Sequence, residues 1–311
     1  MTAFGRLKLA IVGLGKIARD QHLPSLAASR DFELAAIASP HDTLPGIPSY
    51  ADLQSLLEAR QPIDAVAICT TPQARFGVAT LALEAGLHVL LEKPPGVTVS
   101  QVRRLEELAA RQRCTLFASW HSRHASAVGA AGEWLSGRHV QSARIVWKED
   151  VRVWHPGQSW LWQEGGLGVF DPGINALSIV TRIVGQHLTV REATLHIPRN
   201  CQTPIAARVQ IMGSAGMVID GELDFLQAGP PTWNILVNTD RENLLLANGG
   251  AALAIDGTPV ALEESREYPN LYAHFAHLID KRRSDVDVAP LRLVEEAMQR
   301  GTRIPAPPFI D

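Results

Sequence analysis

Gly13-Leu14-Gly15-Lys16-Ile17-Ala18 is a G-x-G-x-x-A turn that directly follows the apolar run Leu7 to Val12 and opens a helical pattern. In that setting each residue type has a chemical use. The first glycine permits a tight turn, the second lets the backbone come close to a pyrophosphate, and the positive end of the following helix holds the anionic charge. The motif therefore points to a bound dinucleotide, with Gly13, Gly15, Lys16 and Ile17 as its contacts. About twenty residues beyond such a motif, at the end of the second strand, a carboxylate marks NAD by accepting from the ribose 2'-hydroxyl. Here the chain reads Ser39-Pro40-His41. With no carboxylate at Ser39 a 2'-phosphate is admitted, and Ser39 and His41 both offer donors, although no arginine is expected to clamp it. Use of both NADP and NAD follows, leaning to NADP, with Asp42 as the residue that could restore a preference for NAD.

A second concentration of chemistry lies further along. Trp147, Trp154, Trp160 and Trp162, four of the seven tryptophans, share a short stretch with Glu149, Asp150, Arg152 and His155. Flat rings stack on the C–H faces of pyranoses, while carboxylates and imidazoles satisfy the hydroxyl rim, so the segment suits a sugar pocket. Trp154 and His155 are the favoured contacts. Glu149 is a candidate sugar ligand with a solvated surface charge as the competing reading, and Trp233 is a candidate wall of the pocket with core packing as its rival. His121 ends the last strand of the N-terminal half, where ligands gather, and is either a substrate contact or a structural histidine. No His, Cys, Asp or Glu spacing resembles a zinc site, and no metal is expected.

The elements that must position these residues fall into two groups. Leu7 to Val12, Phe32 to Ser39, Ala65 to Thr70, His88 to Leu91 and Thr115 to Trp120 read as strands that alternate with helical patterns, which argues for βαβ units around a parallel sheet. Phe76 to Ala85 is a helix ended by Gly86, and another amphipathic helix runs on from Val102. From 190 to 262 apolar and polar positions alternate, with Gly, Asn and Asp at the breaks, so a mostly antiparallel sheet is expected, taking in Ala143 to Trp147. Pro172 to Val184, stopped by Gly185, should cover one of its faces, and Pro290 should open a last helix. The fold class is α/β, with a dinucleotide-binding domain over 1–120. An α+β domain with a large, mostly antiparallel open sheet is expected over 121–311.

Composition narrows the function. With 311 residues the chain can bury two cores, and 46% hydrophobic residues give no sign of disorder. A net charge of -3 lacks the broad cationic surface that nucleic acid or an anionic membrane requires. The partner should be a small molecule. Cys69, Cys114 and Cys201 form no CxxC pair and are read as reduced; with no apolar leader ahead of the glycine motif, a cytoplasmic setting is expected. No run approaches the length of a membrane span.

At Leu91-Glu92-Lys93-Pro94-Pro95 the pattern becomes more specific. The chain resembles the glucose-fructose oxidoreductase, inositol dehydrogenase and MocA family, whose members carry E-K-P after the strand that passes the nicotinamide. The likeness spans the whole chain. It includes GGLGVFDPGIN (165–175), which is similar to the family's G-G-x-x-x-x-D-x-G-x-H, and within the family WKEDVRVWHPGQSWLW is most similar to bacterial aldose 1-dehydrogenases acting on L-arabinose and D-galactose. The resemblance implies a Rossmann domain, cofactor contacts that add Thr70, Glu92 and Lys93 to the glycine turn, Ser39 and His41, and association through the exposed face of the C-terminal sheet into a homodimer or larger homo-oligomer. The family's usual histidine is Asn175 here, and an amide cannot exchange a proton near neutral pH. That change departs from the general family pattern and agrees with the aldose 1-dehydrogenase subgroup.

Oxidising an aldose at C1 to a lactone needs one base. Lys93 is a candidate, because the like charge of an oxidised nicotinamide and partial burial make an ammonium easier to deprotonate. Asp171 is the other, and Asp171-Pro172 also reads as a helix cap followed by its first residue. Asn175, one turn on, would offer a donor and an acceptor to sugar hydroxyls. The expected activity is thus an NAD(P)-dependent aldose 1-dehydrogenase, with a same-fold enzyme for another sugar, inositol or cyclic alcohol, or a non-catalytic NAD(P) sensor, as alternatives.

Overall fold

The computed structural model of the chain describes residues 5–214 and 216–310. They form two compact units: residues up to His121 together with Tyr268–Val288, and Ser122–Glu267 together with residues from Ala289 onward. The expected assignment of all of 121–311 to one domain is corrected by the segment that returns to the first unit. The reason is burial. Helix Glu267–Asp280 places Leu271, Tyr272, Phe275 and Ala276 in one apolar cluster with Leu9, Ile11 and Phe32, and the Phe275 ring stacks on Phe32 with centroids 5.5 Å apart.

In the first unit β1 (Leu7–Val12), β2 (Phe32–Ala38), β3 (Ser49–Tyr50), β4 (Ala65–Ile68), β5 (His88–Leu91) and β6 (Leu116–Ala118) make a sheet in the order β3-β2-β1-β4-β5-β6, with every pairing parallel. Period-2 alternation splits β1 between two cores. Leu9 and Ile11 join the cluster just described, while Ala10 and Val12 join Ala79, Ala82, Leu83 and Leu105 on the opposite face. Those last residues come from α3 (Pro72–Glu84) and α4 (Val99–Gln112), which follow α1 (Leu23–Ala27) and α2 (Leu53–Glu58). α3 begins a turn earlier than expected, since Pro72 lacks only an N–H that a first helical turn leaves unbonded. The strand order reverses between β1 and β4, which opens a crevice at their carboxyl ends.

The second unit contains α5 (Ser126–Leu135), β7 (Val140–Lys148), α6 (Val151–Trp154), α7 (Phe170–Ile183), β8 (Leu188–Pro198), β9 (Ala206–Gly213), β10 (Val218–Asp224), β11 (Thr232–Thr239), β12 (Asn243–Ala247), β13 (Ala252–Ile255), β14 (Thr258–Pro259) and β15 (Thr302–Ala306). The nine strands run in the order β14-β13-β12-β11-β7-β10-β9-β8-β15, antiparallel except for β7 with β10 and β8 with β15. Buried and solvated positions alternate along β9 and β10, as in a sheet covered on one face. The cover comes from α5, α7 and helix Ala289–Arg300. Among the described residues no helix is long and apolar enough to cross a membrane.

Candidate active site

The glycine turn joins β1 to a helix that starts at Lys16 and contains a π-helical turn over Ala18–His22. Gly13 has φ +93 and donates its N–H to Ala38 O at 2.8 Å. A Cβ there would lie 3.0 Å from Thr70 N, so the position requires glycine. Around Gly15 the situation is the reverse: a Cβ would meet nothing within 4 Å. That open space, flanked by first-turn amides that have no intrahelical partner, fits a pyrophosphate. Thr70, just past the end of β4, keeps its Oγ1 buried with no hydrogen-bond partner among the described residues. Lys16 pairs with Asp20 and Ile17 is half-buried. Ser39 is nearly buried and donates its N–H to Tyr50 O, while His41 is exposed. An arginine does reach this edge: Arg19 Nη2 lies 2.6 Å from Asp42 Oδ1. It comes from the helix, not from the residues after β2.

β5 delivers Glu92-Lys93-Pro94 to the carboxyl edge of the sheet, with a cis bond before Pro94. Glu92 is expected to touch the cofactor, but at 2% exposure its carboxylate has no surface with which to do so. It is a buried anchor instead. Oε1 accepts from the Tyr268 hydroxyl at 2.8 Å and lies 3.0 Å from His22 Nε2; Oε2 accepts from Lys93 N–H at 2.8 Å. His22 Nδ1 is 2.7 Å from the Tyr272 hydroxyl. Burial alone would raise the Glu92 carboxyl, but hydrogen bonding to His22, the charges of His22 and His121 and the Tyr268 hydroxyl bring it down to about 2. Burial likewise opposes charge on His22, yet Cys69, Tyr272 and Glu92 outweigh it and hold the ring well above the usual histidine range. Tyr272 is pushed up to about 12, chiefly by burial. His121 belongs to this unit and stacks on Tyr268, with centroids 5.4 Å apart. Arg75 was not anticipated from sequence. Buried under the loop, it donates to the carbonyls of Thr70, Glu92 and Pro94 and so ties the end of β4 to the E-K-P turn.

In the second unit Glu149 follows β7 and is 2% exposed, which removes the reading of a solvated charge. Its Oε1 lies 2.9 Å from His155 Nε2, and its Oε2 accepts from Trp233 Nε1 at 2.8 Å. Trp233 faces Trp147 across β11 and β7, and Trp154 meets it edge-on with centroids 4.7 Å apart. Trp154, at the end of α6, keeps 40% of its surface exposed. Trp147 is buried and serves the core, while Trp162 is half-buried and packs on Phe225 and Phe309.

α7 begins at Phe170 with Val169 as its cap, not at Pro172 with Asp171 as cap. The turn before it winds directly into the helix, Phe170 N–H bonding to Leu167 O and Asp171 N–H to Gly168 O. Gly168, at φ +51 and packed on the Pro204 carbonyl, makes that turn possible. Asp171 therefore lies inside the first turn of the helix and not ahead of it. It is buried, and its Oδ2 lies 3.8 Å from His155 Nδ1. Asn175 is half-buried one helical turn further on. Among the described residues no group of His, Cys, Asp and Glu could hold a metal ion.

A doubly wound parallel sheet with a glycine turn at its switch point, accompanied by an open-sheet α+β unit, defines a dinucleotide-binding oxidoreductase. A family model described as the oxidoreductase family with an NAD-binding Rossmann fold matches residues 7–119. Galactose 1-dehydrogenase of Pseudomonas fluorescens is 44% identical over 309 residues, 98% of this chain and 99% of that one. The crystal structure of D-galactose-1-dehydrogenase from Rhizobium etli superposes with a TM-score of 0.95 at 48% identity, with 100% of both chains covered. An inositol dehydrogenase homologue from Azotobacter vinelandii, complexed with NADH and myo-inositol, shares the fold at a TM-score of 0.81 and 20% identity over 96% of each chain. The chain belongs to the Gfo/Idh/MocA oxidoreductase family.

Proposed function

We propose that this chain is an aldose 1-dehydrogenase that oxidises C1 of L-arabinose, D-galactose or both to the lactone, with NADP or NAD as acceptor. The observation that carries the reading is its near full-length likeness to a galactose 1-dehydrogenase. Gly13, Gly15, Lys16, Ile17, Ser39, His41 and Thr70 would hold the dinucleotide, which when bound accepts the hydride that leaves C1.

Oxidation at C1 also releases the anomeric hydroxyl proton, and that proton is assigned to Asp171. In the tautomer that donates from Nε2 to Glu149, His155 turns its Nδ1 lone pair toward Asp171. Once Asp171 has taken the proton, its carboxyl hydrogen has an acceptor in Nδ1, across a gap that must shorten from 3.8 Å to roughly 2.8 Å. When that proton passes from the Asp171 carboxyl to Nδ1, Asp171 is again a carboxylate and Glu149 stabilises the imidazolium, as an orienting carboxylate does beside a base histidine. Within the second unit Trp154 and Trp233 are assigned to stack on the sugar and Asn175 to bind its hydroxyls; in the first unit Lys93 and His121 are the candidate substrate contacts.

The two sugars differ by the hydroxymethyl group on C5, a contrast that apolar contacts separate by only roughly ten- to two-hundredfold. A reducing, cytoplasmic setting is supported by Cys69, Cys114 and Cys201, none of which is in a disulfide. Homo-oligomer formation through the solvated face of the nine-stranded sheet is part of the same reading. A panel of aldoses and inositols assayed with both dinucleotides, by absorbance of the reduced form, tests the activity. Turnover of D-galactose, L-arabinose or both is expected, and turnover of inositol alone would reject it.

A further inference from the structure

Arg19 and Asp42 meet beside the carboxyl end of the second strand. β2 ends at Ala38, next to the end of β1 from which the glycine turn departs, and Asp42 lies just beyond. Folds of this kind set the adenosine ribose against that strand end, where a carboxylate selects a 2'-hydroxyl and an arginine a 2'-phosphate. Both groups are present here. They are paired at 2.6 Å, with side-chain exposures of 43% and 45%. An exposed pair of this sort contributes little net stability, so a stronger partner for either member displaces the other at little cost. A guanidinium suits a phosphate through bidentate donation, and a carboxylate suits ribose hydroxyls as a pure acceptor. The nearest lysine on the same helix, Lys16, is engaged with Asp20.

We propose that Arg19 and Asp42 together read the substituent on the ribose 2' position. With a 2'-phosphate, Arg19 leaves Asp42 and binds the phosphate. With a 2'-hydroxyl, Arg19 stays and holds the Asp42 carboxylate as the hydroxyl's acceptor. Use of both cofactors then comes from one exchangeable ion pair. This rests on the dinucleotide reading and adds to it the residues that discriminate.

The test is calorimetric titration of adenosine 2',5'-bisphosphate and adenosine 5'-monophosphate into wild type, Arg19→Gln and Asp42→Asn, with no sugar and no turnover. Arg19→Gln is expected to weaken the bisphosphate about tenfold or more, the loss of a charge-assisted contact, and to leave the monophosphate nearly unchanged. Asp42→Asn is expected to tighten the bisphosphate and weaken the monophosphate. Equal losses for both ligands with Arg19→Gln, or no change in either, would overturn the assignment, and an Asp42→Asn protein with unaltered affinities would overturn the carboxylate's part. A wild-type protein that binds neither nucleotide would instead reject the dinucleotide reading itself.

Discussion

His22 Nε2 lies 3.0 Å from Glu92 Oε1, with both side chains shut away from solvent, directly beneath the turn that carries Lys93. The pair makes stability depend on pH from both sides. Glu92 has its folded pKa lowered to about 2 from 4.5, so its contribution is present above 4.5 and is lost as pH falls toward 2. His22 has its folded pKa raised above 6.5, so its contribution is complete below 6.5 and is lost as pH climbs through the raised value. Thermal midpoints measured across pH should therefore peak between about 4.5 and 6.5 as far as this pair is concerned. Glu92→Gln should flatten the acid limb and His22→Gln the alkaline limb, each at a cost of about 3–5 kcal/mol for a broken buried pair. Identical profiles in all three proteins would show that the pair is not ionised.

Glu149 holds two site residues with one carboxylate. A glutamine there keeps the shape but presents an NH₂ to either His155 Nε2 or Trp233 Nε1. Glu149→Gln should raise the aldose KM and lower kcat, each by about tenfold, the effect of losing one buried charge-assisted hydrogen bond. Dinucleotide affinity, titrated separately, should not move.

Asp171 and Lys93 are separable by their kinetics. If Asp171 receives the proton, Asp171→Asn should lower kcat by about 10²–10⁴, the range of general-base catalysis. Lys93→Ala should lower kcat far more than it alters dinucleotide affinity. An Asp171→Asn enzyme with nearly normal kcat would transfer the base role away from Asp171.

Arg75 binds three backbone carbonyls from a buried position. Replacing it with methionine fills much of the volume but leaves those acceptors without their cation. Arg75→Met should destabilise the protein by about 3 kcal/mol or more, read as a lower urea midpoint, and should loosen dinucleotide binding by freeing the E-K-P turn.

What could be read from sequence was whatever is local. β1 and β5 fall on the apolar runs Leu7–Val12 and His88–Leu91 because strands buried on both faces need no alternation. Asp171 was misread as a cap because Asp-Pro is the usual signature of a helix start, and the winding of Gly168 into α7 depends on its packing against Pro204. The network under Lys93 had no local signal at all, since Glu92 is 70 residues from His22 and 176 from Tyr268. The Arg19–Asp42 pair had no local signal for a related reason, since the arginine comes from the helix after β1 and not from the residues after β2. The cluster of tryptophans was informative as a group, and only burial separated the exposed Trp154 from the core residue Trp147.

The return of helix Glu267–Asp280 to the first unit has a consequence for biosynthesis. When His121 leaves the ribosome, Leu9, Ile11 and Phe32 are already made but the side chains that close over them are not. The nucleotide-binding half therefore cannot finish folding until nearly the whole polypeptide has been translated. A fragment ending at His121 would lack the part of the cover that Leu271, Tyr272 and Phe275 supply, and would be expected to precipitate or to recruit chaperones.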